Sequence, residues 1–568
     1  MSIPKDILAD DITNTGRNET LIGNLIAASM ISDAIKTSFG PCGFEKMYID
    51  IMGESTITKD GGTFLRKIDV EHPSAKVVID GANSVDKNVG DGTKSSVILV
   101  GSLAKNAIEL IKSGISPHVI VNGYQQAAEL SLEILNEISE TRNLERGIFF
   151  DLVRTALSSK SMPFLVDNSE NLSKIIVDAV CCVCDFKTNY IEVDDIKIEE
   201  KLGSASDTNL VRGVIIDKTI DNGLMPRQIS NAKIILLNEE LDTVRTKTES
   251  EIIITSPEQM SLFLGEEQTE VMRKVKNIAK SGANVVFSRK GISDVAQSYF
   301  ARNGIISLRR VKENDLFWLE KATGAKICQT IEKISPNEIG SANQVYEKEI
   351  GDDKMVFVEG CKKPKAVTIL IRANSKKYLD EFHRTILDGI YVLRDFIQNP
   401  KIVGGGGAFE AVVANRIRKV MMSVDGKEQL AIEKFADSLE QIPLTLATNA
   451  GMNYLSTLSA LRSKISSSNN GRCKWYGIDA TQRKITETFS KKILEPKILK
   501  EQVIKTVNDV ISILLEIDDI FMKTPAMFTH THANGTTHTH KGGSLKHEHH
   551  NEKLDRLGKE QRGSHHYY

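Results

Sequence analysis

Apolar residues recur at helical spacing over residues 21–39, LIGNLIAASMISDAIKTSF, where Leu25, Ile26, Met30, Ala34 and Ile35 share one face. Gly40-Pro41 ends this predicted helix, since glycine accepts the left-handed turn at a helix end and proline cannot extend the helix. EKMYIDI and TITK flank GES, the pattern of a β-hairpin. DGGTFLRKI turns from strand into helix. HPSAKVVIDGANSVDK predicts another helix with Pro73 in its first turn. TKSSVILVGSLAKNAIELIKSG predicts a long one, and helix dominates to about residue 147.

The texture changes near residue 190. NYIEVDDIKIEEKLG and VRGVIIDKTI alternate as strands do, and NAKIILLNEEL, ESEIIITSP, GANVVFSRKG and NGIISLRRV are short apolar runs between turn residues. Helical stretches such as EQTEVMRKVKNIAKSG lie between them, which predicts an α/β domain over residues 213–370. KKYLDEFHRTILDGIYVLRDFIQNPK returns to helix. After the glycine run of IVGGGGAFEAVVANRIRKVMM, helix prevails to about residue 522. The α/β domain therefore reads as inserted into a helical one, with 148–212 and 371–402 as connectors.

The chain has 568 residues, enough for several domains, with 40% hydrophobic and 26% charged residues. A formal net charge of −2 gives no basis for nucleic-acid binding, and no apolar run is long enough to span a membrane. The start, MSIPKDILADDITNTGRNET, lacks the pattern of a secretory signal, which predicts the cytoplasm. Cys181 and Cys184 in CCVC continue an apolar helical pattern, so they read as core residues rather than as a metal or redox pair. Residues 527–568 hold nine of the twelve histidines without any apolar period and are expected to be disordered.

Four glycine-rich turns carry candidate chemistry: SFGPCG (38–43), TKDGGT (58–63), VGDGTK (89–94) and VGGGGA (403–408). Glycine lets backbone approach a ligand closely, and a helix start offers free N–H groups to an anion. Asp60 and Asp91 alone would repel a phosphate, whereas a carboxylate beside phosphate suits Mg²⁺. The same acids and Thr93 also suit plain helix caps. Neither a Walker A loop nor a G-x-G-x-x-G turn occurs.

In order, SFGPCGFEKMYID, TITKDGGTFLRKIDVEHPSAK, VGDGTKSS, ALSSKSM, ILDGIYVLRD, VGGGGAFEA and KEQLAIEKFADSLEQIPLTLATNAG resemble the motifs of group II chaperonins across residues 10–522. This is the class of the eukaryotic cytosolic chaperonin CCT (TRiC) and the archaeal thermosome. TSFGPCGFEKMYID, DVEHPSAK and EQLAIEKFADSLEQIP look most like the alpha subunit of CCT. The resemblance implies a multidomain chaperonin fold. A mainly α-helical equatorial domain would span 1–147 and 403–526, a small α+β intermediate domain 148–212 and 371–402, and an α/β apical domain 213–370. A helical protrusion would come from 246–275.

The resemblance also implies an ATPase that folds unfolded polypeptides, actin and tubulin among them, within a hetero-oligomeric double ring of related subunits. ATP and Mg²⁺ would be its cofactors. Asp91 would be the Mg²⁺ ligand. Gly40 and Pro41 would pack along the nucleotide, with Gly92 and Thr93 at its phosphates. Gly406 would lie near the ribose, Asp479 and Glu495 would form the far wall, and Gly61, Lys94 and Gly405 would also bind the nucleotide. Asp388 would orient and deprotonate the attacking water, with Asp60 assisting, and Lys160 would sense the γ-phosphate.

This chain departs from the family pattern at several points. Lys94 replaces a second threonine, Lys59 and Gly62 stand where Asn and Ala are common, and Gly404 where Pro is common. Lys94 could contact phosphate as a point charge or crowd the pocket. A chaperonin-like scaffold without hydrolysis is the alternative this raises. A stand-alone metabolic ATPase would need a small-substrate motif, and none is found.

Overall fold

The computed structural model describes residues 12–15, 17–160, 165–242, 257–332, 334–362, 364–467, 475–523, 527–531 and 537–541. Three principal hydrophobic cores organise them. The first joins residues 25–138 to residues 403–515 and is almost wholly helical. The second runs from Val214 to Ala366. The third draws on 149–196, on 367–402 and on Leu494. The chain thus leaves the first core, passes through the third to the second, and returns the same way.

In the first core, helices Arg17–Lys36, Pro73–Val89, Thr93–Lys112, Pro117–Ile138 and Lys497–Glu516 pack together. Local signals set their ends. His72 and Pro73 start Pro73–Val89, and Gly90 at φ 69° stops it. The first helix begins at Arg17, earlier than its apolar pattern, and ends at Lys36 before the Gly40-Pro41 turn. The predicted hairpin is present, with Lys46–Ile49 paired antiparallel to Ser55–Thr58.

The second core surrounds a mixed sheet. Its strands run in the order Ile306–Leu308, Val285–Ser288, Gln228–Leu237, Gly340–Ile350, Asp353–Glu359 and Gly213–Ile216, with Ile327–Cys328 also beside Gln228–Leu237. Pairing is parallel between the first three and between Ile327–Cys328 and Gln228–Leu237, and antiparallel among the rest. Helices Pro257–Lys280, Asp294–Arg302 and Glu313–Thr323 accompany the sheet. Residues 246–256 of the expected protrusion, with most of ESEIIITSP, lie outside the described residues.

The third core packs Arg146–Ser158, Leu165–Val183 and Lys376–Gln398 against a small sheet of Ile196–Leu202, Val367–Ala373 and Asn209–Val211. Lys376–Gln398 buries Leu379, Phe382, Ile386, Ile390, Leu393 and Ile397, a stripe at three- and four-residue spacing that fixes which face stays polar. Cys181, Cys182 and Cys184 pack against this core, and no group of three metal-ligating side chains occurs among the described residues.

Two expectations need correction. Helix prevails through 403–522 but is interrupted by short strands: Tyr476–Asp479 pairs with Lys484–Glu487, Leu494–Pro496 pairs with Lys401–Gly404, and Ile520–Lys523 pairs with Ile12–Thr15. These strands are three or four residues long, too short to show a period in sequence. The tail expected to be disordered holds a hairpin of Met527–Thr531 and Thr537–Lys541, where threonine recurs at the strand period of two. Residues 542–568 lie outside the described residues.

Candidate active site

The helix Thr93–Lys112 begins at Gly92, which adopts φ 87° and leaves the first turn without a side-chain cap. GDGT is therefore not a plain side-chain cap: its Gly90 N–H donates to Asp86 O at 2.8 Å and its Gly92 N–H to Asp91 Oδ1 at 2.7 Å, and the helix start carries the positive end of the helix dipole, which favours an anion. Beside it lies a cavity of about 460 Å³. Gly40, Pro41, Asp91, Gly92, Lys94, Gly406, Asp479 and Glu495 all line it, brought together from four distant stretches of chain.

The far end of the cavity is built on turns. Gly406 takes φ 63°, and its carbonyl accepts from the Ile478 N–H at 2.8 Å, so this backbone is pinned against its neighbour. Asp479 Oδ1 accepts from the Gln482 N–H at 3.0 Å, holding the turn after Tyr476–Asp479. Glu495 pairs with Lys500, whose Nζ also donates to Glu410 Oε1 at 2.8 Å. Burial raises the pKa of Glu495, and the Glu410 charge adds to that rise, while Lys500 opposes it.

Asp60, Lys160 and Asp388 do not line the cavity, but they form one buried cluster. Lys160 Nζ lies 2.8 Å from Asp60 Oδ1 and 2.5 Å from Asp388 Oδ2. Asp60 precedes helix Gly61–Lys67 and caps it, its Oδ2 accepting from the Thr63 N–H at 2.8 Å. Asp388 comes from the helix Lys376–Gln398 of the third core. Burial opposes the charge on Asp60, but the Lys160 ammonium and the Thr63 N–H hold its carboxyl far below the usual range. Burial pushes Asp388 up to about 8 against the pull of Lys160, and the charges of Asp60 and Asp91 add to the rise. Burial also works against the charge on Lys160, yet the two carboxylates hold its pKa well above the ordinary value.

Three predicted contacts differ from expectation. The Thr93 hydroxyl donates to Asp86 Oδ1 at 3.2 Å instead of facing the cavity, because Asp86 lies one turn back on the preceding helix. Gly61 lies under the Lys94 side chain, where a Cβ would come within 2.6 Å of Lys94 Cγ. Gly405 backs Glu495, where a Cβ would come within 2.9 Å of Oε1. The sequence reading missed Glu410 and Lys500. Lys500 carried a signal: it occupies an apolar-phase position of its helix, beside the buried Leu499, Val503 and Ile504.

Residues 31–525 match the TCP-1/cpn60 chaperonin family. The chain is 40% identical over 501 residues to a thermosome subunit of Pyrococcus horikoshii, covering 88% of this chain and 90% of that relative. It is 39% identical over 535 residues to thermosome subunit alpha of Sulfolobus acidocaldarius, covering 92% and 95%, and 38% identical over 522 residues to thermosome subunit beta of the same organism, covering 91% and 93%. The chain belongs to the TCP-1/cpn60 chaperonin family.

Proposed function

We propose that this chain is an ATP-hydrolysing chaperonin subunit that couples hydrolysis to domain closure and to the folding of bound polypeptide. The observation that carries this reading is the Asp60–Lys160–Asp388 cluster, which joins a carboxylate at the first core to one on a helix of the third. Asp388 acts as the base toward the attacking water and Asp60 assists. Lys160, held between them, is placed to exchange a carboxylate for phosphate when nucleotide arrives. Because Asp388 rides on a separate core, movement of that core governs its reach.

The cavity fits a nucleotide in size and lining. Asp91, a single half-buried carboxylate at an uncapped helix start, fits Mg²⁺, which takes few protein oxygens and fills its remaining positions with phosphate and water. Bound there, Mg²⁺ would neutralise phosphate charge. The scaffold alternative arose from Lys94. Its ammonium is tied to two carbonyls of the wall, and the cavity beside it stays open.

In this reading the first, third and second cores are the equatorial, intermediate and apical domains. A ring of subunits is supported by the exposed apolar side chains of Phe44, Met47, Ile49, Ile51 and Met52 at the Lys46–Thr58 hairpin. Among the described residues no helix is long and apolar enough to cross a membrane. We place the chain in the cytoplasm and, on its motifs, nearest the alpha subunit of CCT in a hetero-oligomeric double ring. Actin and tubulin as substrates rest on that resemblance alone. Comparing Asp388→Ala with the unaltered chain in single-turnover ATP hydrolysis tests the enzyme role, and equal rates would exclude it. The native mass and subunit content of the particle test the ring.

A further inference from the structure

Lys94 is buried, yet it has no carboxylate within ion-pair distance among the described residues. Its Nζ donates to Ser38 O at 3.2 Å and to Lys59 O at 2.9 Å, two backbone carbonyls from separate glycine-rich turns. An ammonium has three N–H donors, and the third has no acceptor among the described residues. The stem runs over Gly61, where any Cβ would collide with Lys94 Cγ, so the neighbouring turn is shaped to receive this side chain. Lys94 also lines the cavity, beside Asp91 and the helix start at Gly92.

We propose that the Lys94 ammonium is a tethered cation at the phosphate end of the cavity, seated on the Ser38 and Lys59 carbonyls and offering its third N–H to a nucleotide phosphate. This rests on reading the cavity as a nucleotide site. A charged donor enclosed away from water interacts strongly with an anion, and here it is positioned before the ligand arrives. Burial, helped by the Lys160 charge, lowers the Lys94 pKa to about 7, while Asp60 and Asp91 act the other way. An arriving polyphosphate therefore stabilises the protonated form. The polyphosphate chain, not the base or ribose, is what this residue recognises.

The test is calorimetric binding of MgATP to the full-length chain and to Lys94→Met and Lys94→Ala. Methionine keeps the stem and removes the charge; alanine opens the seat between the carbonyls. Lys94→Met is expected to bind MgATP about ten- to a hundredfold more weakly than the unaltered chain. For Lys94→Ala, ammonium chloride is expected to restore binding, and tetramethylammonium chloride at equal ionic strength is not, because only the smaller ion fits the vacated seat. Unchanged affinity in Lys94→Met would overturn the proposal. So would weak binding that ammonium fails to restore in Lys94→Ala with a matching fall in the thermal midpoint, which would make Lys94 a packing residue. An unaltered chain that binds no MgATP would overturn the nucleotide reading itself, a result distinct from both.

Discussion

Replacing Lys160 with methionine removes the one ammonium shared by Asp60 and Asp388 while keeping most of the side chain's bulk. The ammonium lies 2.8 Å from one carboxylate and 2.5 Å from the other. At an effective dielectric constant of about 20, unit charges about 4 Å apart interact by about 4 kcal/mol, or about three pKa units. Asp388 stands at about 8 with Lys160 in place. Losing the ammonium moves it further up, and the repulsion from Asp60 then acts unopposed. A base works only when deprotonated, so at neutral pH the active fraction falls on the order of a thousandfold. The assay is single-turnover hydrolysis of radiolabelled ATP across pH. The unaltered chain should speed up through about pH 8, and Lys160→Met should be slow at neutral pH and recover only in strongly alkaline buffer. A Lys160→Met rate within about threefold of the unaltered chain would refute the electrostatic argument. So would a loss that alkali does not relieve.

Gly406→Ala should weaken nucleotide binding by more than about tenfold in calorimetry, since an L-residue at φ 63° costs roughly 1–2 kcal/mol and its Cβ would meet Ile478 O at 2.6 Å. Lys500→Met leaves Glu410 and Glu495 facing each other without their cation, a loss of about 3–5 kcal/mol at neutral pH. Thermal denaturation should show that deficit shrinking as pH falls and one carboxyl takes up a proton. At Glu440, burial opposes ionisation, but donation from Arg462 and Arg418 holds the carboxyl below its ordinary pKa. Its contribution is present above the unfolded-state pKa and is lost as pH falls through the folded one. Glu440→Gln should accordingly lower the thermal midpoint near pH 7, by an amount reflecting about 3 kcal/mol, and the two proteins should converge in acid.

Much of this protein was legible in one dimension. Long helices with a buried stripe, such as Lys376–Gln398, announce themselves by period, and glycine turns mark where backbone can approach a ligand. Ordered motifs singled out candidate binding residues, and eight of them line one cavity. Local chemistry suffices for these features because helix periodicity and turn preference act over a few neighbouring residues.

Partnership was decided only in three dimensions. The short strands from 476 to 523 exist because distant segments pair with them, Ile520–Lys523 with Ile12–Thr15 among them. Asp60 reads as a helix cap and is one, but its place in a buried charge cluster depends on Lys160, a hundred residues away, and on Asp388 from another core. Lys94 reads as an intrusion into a phosphate loop until the fold sets two carbonyls around its ammonium. Charge in a buried site is tolerable only beside the right partner, and hydrophobic periodicity cannot name that partner because the pairing energy depends on spatial distance.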